Sequence, residues 1–282
     1  MRKIALPTDL SENAFNAMEY AVALFNEPAK FYLLHAYADQ IYGPETLDFS
    51  DEELENKKQL TAQNCNLILQ PLVKKIQEKF PGSKHEFVVL PHCGYLIDEI
   101  NYLIEKENID IVVMGTRGKT NDRTITFGSN TLQVIKLVKC PVLCIPESYP
   151  FKKPKKLLFP TNYMIPYQKR ELQLVNDICS YYKAETHVVY ISDFGVVSKR
   201  QKSNQTLLKT LLDVERIHFH QVAVSSKTNI INDTIEKMDI DLLVMVNSRY
   251  SFLESLLVDS TIDKIGLHPK IPFLILQNYI RN

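Results

Sequence analysis

Along this chain, short continuous apolar runs alternate with longer stretches in which apolar residues recur every three or four positions. The first run, Lys3-Ile4-Ala5-Leu6-Pro7, ends at a proline. Ser11 then precedes Ala14, Met18, Ala21, Val22 and Phe25, a spacing that predicts a strand followed by a capped amphipathic helix. Residues 31–36 predict a second buried strand, residues 51–79 a long helix and residues 86–90 a third strand. Leu96, Ile97, Ile100, Leu103 and Ile104 mark another helix, residues 109–114 an unbroken β-rich run, 130–137 a further helix and 141–145 a last strand. Strands alternating with helices predict an α/β fold, with a mostly parallel sheet covered on both faces. In such sheets ligands bind beyond the C-terminal ends of the strands, where the strand order reverses.

The pattern is written twice. Lys3-Ile4-Ala5-Leu6-Pro7-Thr8-Asp9 returns 153 positions later as Lys156-Leu157-Leu158-Phe159-Pro160-Thr161-Asn162. Ile109-Asp110-Ile111-Val112-Val113-Met114 returns 131 positions later as Ile240-Asp241-Leu242-Leu243-Val244-Met245, and Pro141-Val142-Leu143 returns as Pro272-Phe273-Leu274 at the same offset. The first copy therefore carries extra chain in its middle, and the polar stretch from Ala38 to about Leu60 is the natural place for it. Pro150-Phe151-Lys152-Lys153-Pro154 has the prolines and charges of an exposed linker, dividing the chain into domains at residues 1–149 and 154–282.

Composition narrows the function classes. The 282 residues are 45% hydrophobic and 23% charged, with 33 basic and 33 acidic side chains in balance. No overall positive field exists to hold nucleic acid or an anionic membrane, so neither is expected as a partner. The N-terminus reaches Pro7 and Asp9 before an apolar core could form, unlike a signal peptide, and no apolar run approaches membrane-spanning length. The expected location is cytoplasmic. Five scattered cysteines, Cys65, Cys93, Cys140, Cys144 and Cys179, fit reduced thiols better than a disulfide framework.

Candidate chemistry centres on Met114-Gly115-Thr116-Arg117-Gly118-Lys119-Thr120, which contains the Gly-Lys-Thr of a P-loop. A Walker loop requires a glycine where Val113 stands, and a dinucleotide fingerprint would follow the first strand, so neither device is present. What remains is Gly115, Gly118 and, nine residues on, Gly128-Ser129. A parallel sheet places this loop beside Pro7-Thr8-Asp9, at one end. There Gly115 and Gly118 would let backbone N–H groups approach phosphate oxygens, and Gly128, Ser129 and Asn130 would open a helix whose N-terminus favours an anion. The same glycines could instead serve only to turn the chain. Asp9 could simply cap the following helix. Arg117, Lys119 and Arg123 are cations that could neutralise phosphate or merely be solvated.

This spacing resembles the G-x2-G-x9-G-[ST] nucleotide motif of the universal stress protein family. The strand ending Pro7-Thr8-Asp9, the run Leu33-Leu34-His35-Ala36, Gly94 and the closing Cys140-Pro141-Val142-Leu143 are similar to that family's other landmarks. The resemblance covers the first copy and, more loosely, the second. It implies two tandem doubly wound domains of the adenine nucleotide alpha hydrolase-like type, with strand order 3-2-1-4-5, acting in stress response or signalling. It implies ATP or a related adenine nucleotide in the first domain, with Mg or Mn as the ions that would accompany its phosphates. By matching position, Pro7, Thr8 and Asp9 would meet the nucleoside, Ala36 would lie against the base, and Met114, Gly115, Arg117, Gly118, Gly128, Ser129 and Asn130 would surround the phosphates.

The second copy departs from the motif. Val246, Arg249, Asp259 and Ser260 stand where Gly115, Gly118, Gly128 and Ser129 stand in the first, and Asn162 replaces Asp9. Side chains would block the backbone approach and Asp259 would repel phosphate, so this copy is expected to serve as a structural or interaction half. Its closing strand and that of the first copy, both apolar and proline-led, would suit intramolecular pairing of the two domains, and the same edges would suit a homodimer. No metal site is expected, because His92-Cys93 and the pair His218 and His220 lack a four-ligand spacing and Cys140 and Cys144 lie about 13 Å apart on a strand. No nucleophile constellation appears, nor a general base for water or an arginine finger, so slow ATP hydrolysis and a nucleotide-free scaffold are the weaker alternatives.

Overall fold

The computed structural model describes residues 1–118, 127–191, 197–212, 216–222, 227–248, 253 and 270–278. The chain divides into two compact units, one built on Met1–Asn121 and Gly128–Phe151, the other chiefly on Lys152–Asn282. Among the described residues no helix is long and apolar enough to cross a membrane.

The first unit runs β1 (Arg2–Pro7), α1 (Glu12–Leu24), β2 (Ala29–Ala36), α2 (Ala38–Ile41), a 3-10 turn (Pro44–Thr46), α3 (Asp51–Lys79), β3 (Glu86–His92), α4 (Leu96–Glu107), β4 (Ile111–Gly115), α5 (Ser129–Leu137) and β5 (Val142–Ile145). Its strands lie in the order β3-β2-β1-β4-β5, every neighbour parallel. The central strands are sealed on both faces, with Ile4, Phe31, Leu33 and Val112 fully buried, as continuous apolar runs require in a covered parallel sheet. Helix starts follow from their caps. Ser11 Oγ accepts from Ala14 N at 3.2 Å. Ser50 and Glu53 form a reciprocal box, Glu53 N donating to Ser50 Oγ and Ser50 N to the Glu53 carboxylate at 2.8 Å. On α3 only the stripe Cys65, Leu69, Val73 and Ile76 is buried, which is why so polar a helix can be so long.

The second unit runs β6 (Lys156–Thr161), α6 (Lys169–Tyr182), β7 (Glu185–Ile191), α7 (Lys199–Leu211), β8 (Ile217–Val222), α8 (Lys227–Met238), β9 (Leu242–Asn247) and β10 (Phe273–Gln277). Its strands pair in parallel in the order β8-β7-β6-β9-β10, the same path through the sheet. The extra chain of the first copy proves to be largely helical: α3 has 29 residues and its counterpart α7 has 13, with α2 and the 3-10 turn added before α3.

Duplication shows in hydrogen bonds as well as in sequence. Asp110 N donates to Lys3 O and the Asp110 carboxylate accepts from Lys3 N at 2.8 Å, while Lys3 Nζ donates to Glu107 O at the end of α4. Asp241, Lys156 and Met238 repeat this clasp at the end of α8. Asn108 and Asp239 turn left-handed, with φ of 55° and 52°, to bring each helix back to its strand. The fourth strand consequently begins at Ile111, two residues later than the apolar run beginning at Ile109 predicts.

Candidate functional site

The site begins with the turn that leaves β1. Thr8 N donates to Leu34 O, and Thr8 Oγ1 accepts from Leu10 N at 3.0 Å, closing a tight turn in which Leu10 sits at φ 67°. Asp9 Oδ1 accepts from Ser11 N at 3.1 Å, so this carboxylate stabilises the entry to α1 while its other oxygen remains beside the β4 loop. Asp9 thus does the local task expected of a turn residue without being turned away from the loop that the motif supplies.

That loop is held by backbone bonds from both sides. Thr116 N donates to Ile145 O and Gly128 N to Thr116 O, each at 2.9 Å, and the buried Thr131 Oγ1 donates to Gly115 O at 3.1 Å. The three glycines have three different surroundings. A Cβ on Gly115 would sit 3.2 Å from the carbonyl oxygens of Asn13 and Arg117, so the close packing of β4 against the start of α1 requires glycine there. A Cβ on Gly118 would collide with Asp9 Oδ2. Gly128 is different again: its backbone is extended, with φ −64°, and a Cβ would meet nothing nearer than 3.7 Å. Packing among the described residues gives no reason for glycine at 128. Gly128 is also the N-cap of α5, with no side-chain cap bond, leaving the first turn of that helix to other acceptors.

All eleven residues singled out in the sequence line one cavity of about 520 Å³ at the C-terminal end of the first unit's strands. Pro7, Thr8 and Asp9 come from the β1 turn, Ala36 from the tip of β2, Met114 and Gly115 from β4, Arg117 and Gly118 from its loop, and Gly128, Ser129 and Asn130 from the start of α5. Arg117 is partly committed elsewhere, its Nη1 lying 3.3 Å from Glu147 Oε2, while its Nε is buried without a hydrogen-bond partner among the described residues. Lys119 and Arg123 lie outside the described residues.

A second wall was missed by the sequence reading. It is formed by His35, Gln40 and α2, with Tyr95, Leu96 and Ile97 at the start of α4. His35 is buried, its Nδ1 2.7 Å from Thr8 O, and its Nε2 lies 3.3 Å from Gln40 Nε2. The available signal was position: these residues follow the second and third strands and so emerge at the same end of the sheet as Asp9 and Gly115.

In the second unit the chain beyond the first-strand turn packs differently. Thr161 Oγ1 accepts from Tyr163 N at 2.9 Å and Tyr163 sits at φ 54°, repeating the turn of Thr8 and Leu10. Helix α6 then starts late, after Tyr163, Ile165 and Tyr167 have been buried. The Tyr163 ring, 1% exposed, stacks on Tyr190 with centroids 5.2 Å apart, and Tyr167 hydrogen-bonds Thr161. Gln201 and Asn204 of α7 donate to the carbonyls of Asn162 and Tyr163, each at 2.8 Å. At the tip of β9, Val246 is buried and Asn247 Nδ2 donates to Gln277 Oε1. Arg249 and Asp259, expected with Val246 to block the loop, lie outside the described residues, as does Ser260.

The histidines form local contacts. His92 Nδ1 lies 2.7 Å from Glu99 Oε2. On the second unit's outer strands, Glu185 lies between His187 and His218, at 3.5 and 3.4 Å, and His187 Nδ1 is 3.1 Å from His220 Nε2. Burial lowers the His187 pKa from its ordinary value, and a hydrogen bond to Glu185 opposes that shift. Among the described residues no group of three or more His, Cys, Asp or Glu is placed to hold a metal ion.

Comparison with known proteins agrees with this architecture. The family model described as the universal stress protein family matches residues 1–146 and 179–277. Two universal stress proteins of Methanocaldococcus jannaschii are similar to it. One is 34% identical over 158 residues, covering 51% of this chain and 94% of that protein. The other is 32% identical over 159 residues, covering 55% and 84%. The solved structure of a universal stress protein from Archaeoglobus fulgidus has the same fold over 98% of both chains, with a TM-score of 0.70 at 18% identity.

Proposed function

Because the chain belongs to the universal stress protein family, as a member with two tandem domains, we propose that its first unit, with a domain boundary near residue 149, binds one adenine nucleotide. ATP or a close relative is the ligand, in a cytoplasmic stress-response or signalling role. The observation that carries this reading is the cavity of about 520 Å³ into which all eleven motif residues converge, a size within the range of small-molecule sites. Gly128 adds independent support, because none of the described residues excludes a side chain there, whereas a phosphate against the first turn of α5 would. Backbone N–H groups of Gly118, Ser129 and Asn130 would hold phosphate oxygens at the positive end of the α5 dipole. Asp9 would accept hydrogen bonds from the ribose hydroxyls, and a Mg or Mn ion would accompany the phosphates.

The second unit is a structural or interaction half, a reading supported by the loss of the motif glycines from its sequence and by the burial of Tyr163 and Tyr167 beyond its first-strand turn. We further propose that β5 and β10, the closing strands of the two units, pair within one chain, an arrangement that would shelter two apolar end strands at once. Calorimetric titration of the full chain with ATP tests the central reading. A stoichiometry of one is expected, and either two equivalent sites or no binding by folded protein would refute it. For the pairing, residues 1–149 expressed alone should self-associate in ultracentrifugation; a folded fragment that remains monomeric at high concentration counts against it.

A further inference from the structure

Hydrogen-bond logic around His35 points to how the base would be selected. His35 Nδ1 lies 2.7 Å from Thr8 O, a carbonyl that can only accept, so Nδ1 carries the proton. In the neutral imidazole the other nitrogen, Nε2, is then an acceptor. Gln40 approaches that nitrogen at 3.3 Å and must present its NH2 to it. Reversing the amide would set two lone pairs against each other. Thr8 O therefore fixes the His35 tautomer, and the tautomer fixes the Gln40 amide. Gln40 Oε1 is thereby left as an acceptor, in a side chain that lines the cavity, whose orientation is set before anything binds.

Gln40 and His35 line the cavity beside Ala36 at the tip of β2, whereas α5 follows β4, on the other side of β1; under the nucleotide reading above, the start of α5 would hold the phosphates. Leu96 and Ile97 give the same wall an apolar face suited to a flat ring. We propose, resting on the nucleotide reading above, that Gln40 Oε1 accepts a hydrogen bond from the exocyclic amine of the base and makes this a site for 6-amino purines that disfavours 6-oxo purines. A 6-oxo group would place its own lone pairs against Oε1, and Gln40 could turn its NH2 to that group only by breaking the bond to His35. His35 acts here as a positioning residue, and Gln40 is the side chain that touches the ligand.

The test compares ATP with inosine triphosphate, which differs at the purine 6-position and at the N1 protonation that goes with it. Full-length chain should bind ATP about tenfold more tightly than inosine triphosphate, the loss expected when a hydrogen bond becomes an acceptor–acceptor contact at a partly open site. Gln40→Met keeps length and removes the acceptor. It should bring the two affinities to within about twofold, mainly by weakening ATP. Gln40 lies on the surface of a short helix, and an unchanged thermal melt will confirm that the variant is folded. Glu45→Gln, in the exposed 3-10 turn and outside the cavity lining, should keep the wild-type preference. Equal affinities in wild type, a preference that survives in Gln40→Met, or one that vanishes in Glu45→Gln would each overturn the inference while leaving nucleotide binding intact. Folded wild type that binds neither triphosphate would overturn the nucleotide reading together with it.

Discussion

Thr8 and Thr161 make the same turn, yet the chain beyond each takes a different course. After Thr8 it passes Asp9 and enters α1 at once, leaving open space bounded by Gly115, Gly118 and Gly128. After Thr161 the path to the helix is longer, and Tyr163 and Tyr167 are buried beside the turn, with Gln201 and Asn204 donating to its carbonyls. The strand order, the left-handed residue after the turn and the lysine clasp are common to both units. One frame thus carries two different packings beyond its first-strand turn, small residues around a cavity in the first unit and buried aromatic rings in the second.

The comparison can be broken most forcefully at Tyr163. If its buried ring has replaced a ligand as core, Tyr163→Ala should cost about 3–5 kcal/mol, as for other large aromatic truncations, measured by denaturant unfolding. A loss below about 1 kcal/mol would mean that the ring only covers an indifferent surface. Next in size is the reverse exchange. Gly118→Arg gives the first unit the residue found at the matching place in the second, and its side chain must displace Asp9 and enter the phosphate side of the cavity. ATP affinity should fall by about a hundredfold or more, equivalent to roughly 2.7 kcal/mol, with the far-ultraviolet spectrum unchanged; unaltered affinity would show that this loop does not approach the phosphates.

Charge offers a third contrast. Burial pushes the Glu171 carboxyl up to about 7 against hydrogen bonds from Gln168 N and Asn278, which favour the ionised form. Oε1 is buried without a hydrogen-bond partner among the described residues. A folded-state pKa above the unfolded value means that the folded state holds its proton longer. Glu171 therefore gives its full stability contribution below about pH 4.5, and the contribution is lost as pH rises towards 7. Glu171→Gln should remove that fall, gaining on the order of 1–2 kcal/mol relative to wild type at pH 8 and little at pH 4. Parallel pH-stability curves for the two proteins would contradict it. The smallest effects separate the glycines. Gly115→Ala should cost about 1–2 kcal/mol of stability, because its Cβ meets backbone oxygens. Gly128→Ala should leave stability within about 0.5 kcal/mol and weaken ATP several-fold. A Gly128→Ala variant with full affinity would remove the separate support that this residue lends to nucleotide binding.

Much of the frame was legible because its signals are local. Ser50 and Glu53 announce α3 three residues apart, and the run of residues 31–36 needs no context to be recognised as a buried strand. The motif glycines were legible as a cluster but not in their separate duties: that Gly115 accommodates the Asn13 carbonyl depends on how β4 lies against α1, which no spacing reveals. Helix α2 escaped notice because four residues without a side-chain cap carry no periodicity, and the wall containing Gln40 went with it. The packing beyond the first-strand turn of the second unit was equally hidden. Val246 and Asn162 showed that the motif had changed, whereas the inward packing of Tyr163 arises from contacts with α7 and β7, distant in the chain, and Tyr167 folds back on Phe159 and Thr161 of β6. The extra chain of the first copy was legible as the polar stretch from Ala38 to about Leu60, and it does lie between β2 and β3, where most of it is helical.

The lysine clasp has a consequence for how such a protein can change. Lys3 and Asp110, like Lys156 and Asp241, fasten each sheet at the end where β1 and β6 begin, a full strand length from the turn at Thr8 or Thr161. The clasp and the first-strand turn therefore occupy opposite margins of each unit, and substitutions at the turn leave the bonds of the clasp in place. A duplicated frame fastened in this way is free to diverge at one margin only, as the two turns of this chain have done in the residues that follow them.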